Sequence, residues 1–526
     1  IAIIAAGAAL GLRLSGSEGV VLAPESTYTE GVAGTWQRIN PIFSTTNEVD
    51  QDLASLVFAG LVKLGPDGSL MPDLADLPQV SDDGRTYTFR LKSGLKWQDG
   101  VPLTSRDVAF TIAKVQENGF RGDPVLADAW SDVQVEIPDD RTVVFHLTDP
   151  AAPFVARNAT LGIIPEHILG NLSADQLYDA PFNAKPIGAG PFRLDSIDQH
   201  SATLIAFDGY HDGAPSIHRF EFRFYSDYPS ALRAASAGDL DGLLFRDTPT
   251  EAESTEIDRV RGMEATAVQR AAYVILYLNN DHASFQDPRV RRALSLAIDR
   301  QAIAEKVYFG AATPSASAIP PGSWAYAPEY DHIDVNLDEA KRLLEEAGWK
   351  PHPTTGILIR EGEEFRFTIR TDNDPARVAV ANEIAHQLEP IGIRATVIST
   401  SFSVLRRDFL QERKYDAAIA GWDQGADPDP YFGWHSSQSG TAGLNIGNFA
   451  DIVVDELIAK ARTTNDIEVR KDQYRQFQEK WDELAPGVVV AYPRYIYLHK
   501  DGVEGLDGAL LSTASQRFWN VAKWHS

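Results

Sequence analysis

The chain has 526 residues, 44% of them hydrophobic, which exceeds what one hydrophobic core usually spans and predicts two or more globular domains. A formal net charge of −26 at pH 7 argues against nucleic acid and anionic membrane surfaces as partners, and it favours a cationic or zwitterionic ligand. The sequence has no cysteine, which excludes disulfides, thiolate metal sites, iron–sulfur clusters, cysteine nucleophiles and a lipidated cysteine anchor.

The first twelve residues, IAIIAAGAALGL, form an apolar run that is too short to cross a bilayer alone. We interpret residues 1–14 as a signal-peptide remnant or an N-terminal membrane anchor, with a short buried helix or a disordered tail as the alternative. Serine and glycine within residues 15–25 are typical of a linker. The sequence therefore predicts an extracytoplasmic protein, in the periplasm or on the outer face of the cell membrane, that contacts the membrane only through this segment.

The run YTFRLKSGLKWQDGVPLTSRDVAFTIAKV at residues 87–115 combines several local signals. Its first residues alternate between apolar and polar, which predicts a strand with one buried face. Asp99-Gly100 is a turn signal. Thr104 and Asp107 have the spacing of a capping box ahead of an apolar stripe, so a capped helix is predicted there.

Alternation continues along residues 133–147, where a Pro-Asp-Asp turn separates two apolar-polar runs and predicts a hairpin. The sequence FEFRF at 220–224 again has period two, and small residues at 230–237 predict a helix after it. Residues 376–389 carry an apolar stripe at helical spacing and lead into the strand-like RATVIST. A helix followed by a strand in this way implies a parallel crossover.

A second informative block is YLNNDHASFQDPRVRRALSLAIDRQAIAEKVYFGAATPSASAIPPG, residues 277–322. Asp287 followed by Pro288 predicts the start of a helix, and Gly310 its end. Asn336 is predicted to cap the next helix, which contains the wording LEEAGW.

These two blocks and LEEAGW resemble the signature of the family 5 solute-binding proteins of bacterial ABC importers, the dipeptide, oligopeptide and nickel-binding group. The resemblance runs from about Tyr28 to the C-terminal region. It implies an α/β, periplasmic-binding-protein-like bilobal fold of type II with an additional inserted domain, and mixed sheets with helices on their faces. The implied domains are lobe I (26–59, 190–270 and 491–526), inserted domain II (60–189) and lobe II (271–490).

The run from Tyr415 to Gln438 begins as an apolar strand and ends in a loop with three aspartates. Ligands of open α/β sheets bind beyond the carboxyl ends of the strands, so this loop is predicted to reach the binding cleft. A buried ammonium needs a carboxylate partner. Asp423 is the first candidate by resemblance to peptide-binding relatives, Asp427 competes with it, and Asp429 is expected to cap the proline turn. The aromatic side chains predicted to wall the cleft are Trp422, Tyr431, Phe432 and Trp434.

A peptide carboxylate favours arginine, whose planar fork matches it, and Arg406 and Arg407 are candidates by position. Asn47 and Asn279 fall in segments that face the cleft in the resembling family. Either side chain is suited to hydrogen-bond an extended peptide backbone, although ordinary loop polarity explains them equally well.

No catalytic motif is present: we find no H-E-x-x-H, no G-x-x-x-x-G-K-[ST] and no G-x-S-x-G, so no enzyme activity, cofactor or metal is predicted. By resemblance, a monomeric protein captures short peptides by hinge closure and delivers them to ABC permease and ATPase subunits. Alternatives are another solute such as an oligosaccharide, a nickel chelate or an opine, a tethered sensor ectodomain that transports nothing, and an exported hydrolase.

Overall fold

A computed structural model describes residues 26–506 and 508–525, so the predicted N-terminal segment and linker lie outside the described residues. The strands are β1 Thr27–Ala33, β2 Val62–Leu64, β3 Leu70–Pro72, β4 Gln79–Val80, β5 Thr86–Arg90, β6 Gln134–Asp139, β7 Thr142–His146, β8 Phe192–Ile197, β9 Ser201–Ala206, β10 Arg219–Tyr225, β11 Gly242–Phe245, β12 Glu264–Arg270, β13 Ala272–Leu278, β14 Ala312–Pro314, β15 Lys350–Pro351, β16 Leu358–Arg360, β17 Glu363–Glu364, β18 Arg366–Asp372, β19 Arg394–Thr400, β20 Ala417–Asp423, β21 Gly487–His499 and β22 Leu510–Leu511.

Helices fill the connections between these strands. They are α1 Glu48–Val57, α2 Ser105–Gln116, α3 Pro124–Trp130, α4 Phe154–Asn158, α5 Glu166–Leu169, α6 Ala174–Tyr178, α7 Tyr228–Ala237, α8 Glu251–Ile257, α9 Pro288–Ala297, α10 Arg300–Lys306, α11 Leu337–Glu346, α12 Pro375–Leu388, α13 Phe402–Val404, α14 Tyr431–Trp434, α15 Ile452–Thr463 and α16 Ile467–Leu484. None of the described helices has the length and apolar character needed to cross a membrane.

The largest sheet has 13 strands and mixes parallel with antiparallel pairs. Its main path runs β19-β18-β20-β13-β21-β11-β1-β10-β9-β8. β12 and β14 join it beside β21, and β22 pairs with β12. β18 and β19 pair in parallel with α12 between them, which confirms the predicted crossover. β10 pairs in parallel with β1 and antiparallel with β9.

β21 extends across two parts of this sheet. Its first residues pair with β13 and β14, and its last residues, from Arg494 to His499, pair with β11 and β12. The register between β13 and β21 shifts between Val274 and Ile275. The partners of β21 therefore change between Pro493 and Arg494.

A separate four-stranded antiparallel sheet, in the order β4-β5-β7-β6, lies within residues 60–189. β5 buries Tyr87 and Phe89 completely, as its alternation predicts. β6 and β7 form the predicted hairpin. α2 begins with the predicted capping box, in which Thr104 and Asp107 bond each other's backbone N–H. This part of the fold follows directly from local sequence signals.

One predicted helix is interrupted. The helix that begins after Asp287 was expected to continue to Gly310, but α9 ends at Ala297. The Asp299 side chain accepts a hydrogen bond from the N–H of Ala302 and starts α10 as a second helix. A new N-cap inside the run thus divides it in two.

Helices cover both faces of the sheet between β13 and β19. On β13, Val274, Leu276 and Leu278 belong to one buried cluster, whereas the residues between them, such as Ile275, belong to another on the opposite face. This period of two, with apolar residues on both faces, is typical of a sheet buried between two helical layers. The result is the mixed α/β architecture that the resemblance implies.

Candidate functional site

A large cleft opens at the carboxyl end of β20. Its cavity volume is about 1520 Å³, and we call this cavity the cleft throughout. Most of its wall comes from stretches of chain within residues 41–64, 123–133, 147–162, 210–216, 421–432 and 512–523. The proposed lobe I, domain II and lobe II therefore all contribute to one cavity.

Asp423 is the last residue of β20 and lines the cleft. The cleft walls surround it, and this burial raises the pKa of its carboxyl, although a hydrogen bond from the N–H of Gly425 (2.8 Å) and the charge of Arg270 act in the opposite direction. Its side chain is nevertheless open to the solvent of the cleft. A ligand can therefore reach a carboxylate that has no close ion-pair partner among the described residues.

Asp427, the predicted competitor, is already occupied. Both of its oxygens accept from Arg470, Oδ1 at 2.7 Å from Nη2 and Oδ2 at 3.0 Å from Nη1, and the pair is buried. Tyr474 adds a hydrogen bond to the same guanidinium. A ligand would have to break a buried bidentate pair to reach Asp427, so we exclude it as the ligand anchor.

Asp429 forms the turn contact that the sequence predicts, accepting from the N–H of Tyr431 at 3.1 Å. Its other oxygen, Oδ2, lies 3.3 Å from Nη2 of Arg157 and 3.0 Å from Nη1 of Arg462. Burial raises the pKa of this carboxyl, and the two arginines oppose that shift.

The four predicted aromatic side chains have different positions. Trp422 and Phe432 line the cleft. Tyr431 is not among the residues that line the cleft, so its prediction is corrected: its ring packs against Arg462, whose guanidinium carbon is 4.3 Å from the ring centroid. Trp434 contradicts its prediction, because only 1% of it is exposed and it packs in the core against Tyr277 and Trp481.

Neither predicted asparagine is available to a ligand backbone. The Asn47 side chain caps α1 by accepting from the N–H groups of Val49 and Asp50. Asn279 is buried and donates to the carbonyl oxygens of Arg413 and Tyr415. Both predictions are corrected for the same reason: each amide already forms hydrogen bonds with backbone groups of the protein.

The two predicted arginines also lie elsewhere. Arg406 and Arg407 belong to a π-helical turn, Leu405–Leu410, and both are exposed outside the residues that line the cleft. Arg407 pairs with its neighbour Asp408 at 2.6 Å. The basic residues that do line the cleft are Lys63, Arg157, Arg462 and Lys523.

Sequence reasoning missed Arg157, Arg462 and Gln424. Gln424 lines the cleft, is 6% exposed, and its Nε2 has no hydrogen-bond partner within the described residues. Gln424 could have been predicted from the sequence, because it follows Asp423 directly in the same loop. Arg157 and Arg462 had no local signal, because they reach Asp429 from helices that are far away along the chain.

Charge is unevenly distributed over the cleft wall. Four basic residues line it, and the acidic side chains are Asp73, Asp123, Asp128, Asp132, Asp149, Asp212, Asp423 and Asp429. Lys63 pairs with Asp212, and both arginines pair with Asp429. The remaining carboxylates give the cleft a negative potential that attracts cationic groups.

Comparisons with known proteins place this fold and cleft in a family. Residues 69–443 match the family model described as bacterial extracellular solute-binding proteins, family 5 Middle. The chain is 29% identical to the oligopeptide-binding protein AppA of Bacillus subtilis over 503 residues, 94% of this chain and 90% of that protein. The crystal structure of AppA in complex with a nonapeptide aligns with a TM-score of 0.66 and 27% identity, covering 96% of this chain and 99% of that one. NikZ from Campylobacter jejuni, in complex with Ni(L-His), aligns with a TM-score of 0.69 and 26% identity, covering 96% of this chain and 100% of that one.

The chain therefore belongs to the family 5 bacterial extracellular solute-binding proteins, the binding components of ABC importers. This confirms the family and the bilobal α/β fold that the sequence predicts. The family is one of solute-binding proteins and not a class of enzymes, and it acts outside the cytoplasm.

Proposed function

We propose that this protein captures short peptides in its cleft by hinge closure and delivers them to the permease of an ABC importer, whose ATPase subunits drive import. In this proposal it acts as a monomer and does no chemistry on its ligand. Lobe I consists of residues 26–59, 190–270 and 491–526, and lobe II consists of residues 271–490. Residues 60–189 form the inserted domain. Residues 1–14 hold it at the outer face of the membrane or are removed after export.

The observation that carries the proposal is Asp423, a reachable carboxylate at the end of a central strand, inside a cavity of about 1520 Å³. That volume exceeds the roughly 300–1,000 Å³ of ordinary small-molecule pockets, so the cleft has room for a ligand larger than one amino acid. An ammonium group matches Asp423, and Trp422 and Phe432 offer apolar contact to side chains. AppA of Bacillus subtilis is an oligopeptide-binding protein, and its crystal structure is a complex with a nonapeptide, which supports the same ligand class.

Native mass spectrometry of the purified protein tests the ligand class directly. A heterogeneous set of bound masses that resolve into short peptides on denaturation would support the proposal. A single sugar or metal-chelate mass would overturn it.

Replacing Asp423 tests the anchor. We expect Asp423→Asn to weaken binding of a peptide with a free N-terminus by more than about tenfold, which is about 1.4 kcal/mol, because the ammonium loses its ion-pair partner. The N-acetylated form of the same peptide, which has no ammonium, should bind wild type and variant equally. Titration calorimetry measures both.

Asp338→Asn is the matched control, since Asp338 is exposed on α11 outside the cleft. Its affinity for either peptide should equal that of wild type. Equal loss in Asp423→Asn for the free and the acetylated peptide would count against an ammonium anchor at this residue.

A further inference from the structure

Two arginines from different parts of the chain meet at one buried aspartate in the cleft wall. Arg157 comes from α4 and Arg462 from α15, and both point a nitrogen at the same atom, Oδ2 of Asp429, at 3.3 and 3.0 Å. The side chain of Asp429 is 0% exposed, whereas those of Arg157 and Arg462 are 30% and 23% exposed. The carboxylate is hidden, while both arginine side chains remain partly exposed and line the cleft.

The charges of this cluster do not balance. Two guanidinium groups share a single carboxylate, and neither forms another ion pair among the described residues. The neighbouring Asp427 does not compensate, because both of its oxygens are taken by Arg470. One positive charge is therefore left over at a partly desolvated place in a cleft that is otherwise acidic.

Hydrogen-bonding capacity is left over as well. A guanidinium carries five N–H donors, and within the described residues each of these two arginines donates one side-chain hydrogen bond, the one to Asp429. Paired N–H groups of arginine match the two oxygens of a carboxylate. The donors that remain are suited to a second carboxylate, supplied from the cleft.

Aromatic rings fix the orientation of both groups. The guanidinium carbon of Arg462 lies 4.3 Å from the ring centroid of Tyr431 and 4.9 Å from that of Phe432, and that of Arg157 lies 5.4 Å from Phe432. The carbonyl oxygen of Arg462 also accepts from the N–H of Ala152 at 2.8 Å. Because these contacts already order the two side chains, a ligand loses little entropy in using them.

We propose that Arg157 and Arg462 bind the C-terminal carboxylate of the peptide ligand. This rests on the proposed function and adds a second anchor, opposite in charge to Asp423. Asp423 and Asp429, the residue that holds both arginines, are six residues apart along one loop, so their Cα atoms are separated by at most about 22 Å. A ligand that engages both is therefore a free-acid peptide of about six residues or fewer, since an extended chain covers about 3.3 Å per residue.

The subsite also joins two parts of the molecule. Arg157 lies in residues 60–189 and Arg462 in residues 271–490, so the pair is complete only while these parts are in contact. A carboxylate bound by both arginines stabilises that contact. Recognition of the ligand's acidic end is thus coupled to closure of the cleft.

The test uses random-sequence peptide libraries of two to six residues, prepared once as free acids and once as C-terminal amides. Wild-type protein is titrated with each library, and then with individual peptides that bind. We expect the free acids to bind at least about tenfold more tightly than the amides. Arg157→Gln and Arg462→Gln should lower that preference to less than about threefold. The readout is the ratio of acid affinity to amide affinity within each variant, because loss of a contact with Asp429 across the cleft affects both ligands.

Arg406→Gln is the matched control, because Arg406 is exposed outside the cleft, and it should keep the full preference. Arg157→Lys and Arg462→Lys keep the charge and should retain part of the preference even if a glutamine variant does not fold. Equal binding of acids and amides by wild type would overturn the subsite and leave the proposed function standing. Failure of every peptide to bind wild type would instead overturn the proposed function, and the subsite with it.

Discussion

The three aspartates within residues 423–429 have identical side chains but differ in burial and in ion-pair partners. Asp423 is open to the cleft, Asp427 is buried in a bidentate pair with Arg470, and Asp429 is shared by two arginines. Breaking either buried pair would leave a charge in a low-dielectric place, which typically costs about 3–5 kcal/mol. Only Asp423 is therefore free to exchange its surroundings for a ligand.

Asp50 offers a separate measurement at this scale. It is 2% exposed and accepts hydrogen bonds from the N–H groups of Gln37 and Arg38 at 2.7 and 2.9 Å. Burial raises the pKa of its carboxyl to about 6, and the two hydrogen bonds only partly oppose this. The folded protein thus holds the Asp50 proton more tightly than the unfolded chain does.

The raised pKa of Asp50 should make the stability of the folded protein depend on pH. The folded pKa of Asp50 lies above the unfolded value, so its contribution to stability is complete below about pH 4 and is lost as the pH rises through about 6. We expect the unfolding temperature of wild type, relative to that of Asp50→Asn, to fall over this window. Calorimetric scans of both proteins between pH 4 and 7 measure it, and a constant difference would contradict the raised pKa.

The candidate site shows why single residues were hard to predict. The position of Asp423 follows from the apolar strand that precedes it, because a strand end in an α/β sheet has a known relation to the ligand crevice. The pairing of Asp427 did not, since Arg470 lies 43 residues further along the chain. Trp434 sits in the core because its indole N–H donates to the hydroxyl of Tyr273 at 3.2 Å, a tertiary contact without a local pattern.

At the scale of elements, caps decide where helices begin and end. Thr104, Asp287 and Asn336 cap their helices as predicted, because the required side chains are adjacent in sequence. The division between α9 and α10 depends on Asp299, an N-cap inside the run that the apolar pattern alone does not predict. Local signals thus predicted most elements, whereas the pairing of β21 with strands on both sides depends on contacts between distant segments.

Gly238, at the end of α7, allows the free-energy cost of a left-handed backbone conformation to be measured. It has φ +82°, and a Cβ there would meet nothing within 4 Å, so a substitution adds backbone strain without a clash. We expect Gly238→Ala to destabilise the protein by about 1–2 kcal/mol, the cost of a left-handed conformation for a residue with a side chain. Denaturant unfolding monitored by circular dichroism measures the change.

Gly440 provides the control, because a Cβ there also meets nothing within 4 Å and its φ is not positive. Gly440→Ala should therefore change stability by less than about 0.5 kcal/mol. Similar effects of the two substitutions would argue against conformational strain as the cause.

At the scale of the whole molecule, residues 60–189 touch residues 271–490 directly. The N–H of Ala152 donates to the carbonyl of Arg462 at 2.8 Å, and the N–H of Trp324 donates to the carbonyl of Asp67 at 3.2 Å. The hydroxyl of Tyr87 lies 3.2 Å from Oδ1 of Asn465. These hydrogen bonds join the two parts of the chain, so opening by the proposed hinge motion would break them.

Tyr87→Phe should shift the ligand-free protein towards the open state. The single hydroxyl proton is shared between the carbonyl of Ala151 at 3.0 Å and Oδ1 of Asn465 at 3.2 Å. The contact with Asn465 therefore contributes at most about 1 kcal/mol, and the open fraction should rise by up to roughly fivefold. Because the sequence has no cysteine, the pair Asp82→Cys and Glu479→Cys places two labels at defined, exposed positions. Distance distributions between those labels, with and without ligand, measure the shift.

Tyr308→Phe is the control for this change. The hydroxyl of Tyr308 is buried and has no hydrogen-bond partner among the residues described, so its removal should leave the label distances as in wild type. Unchanged distances in Tyr87→Phe would show that its contact with Asn465 contributes nothing to closure.

The path of β21 bears on how the two lobes depend on each other. This one strand of 13 residues supplies backbone pairing to β13 and β14 with its first part and to β11 and β12 with its last part. A fragment containing only one lobe would carry half of this strand with its N–H and C=O groups unpaired, or would lack a neighbour in the middle of its sheet. We therefore expect neither proposed lobe to fold when it is expressed alone, and we expect insertions to be better tolerated at surface loops than within β21.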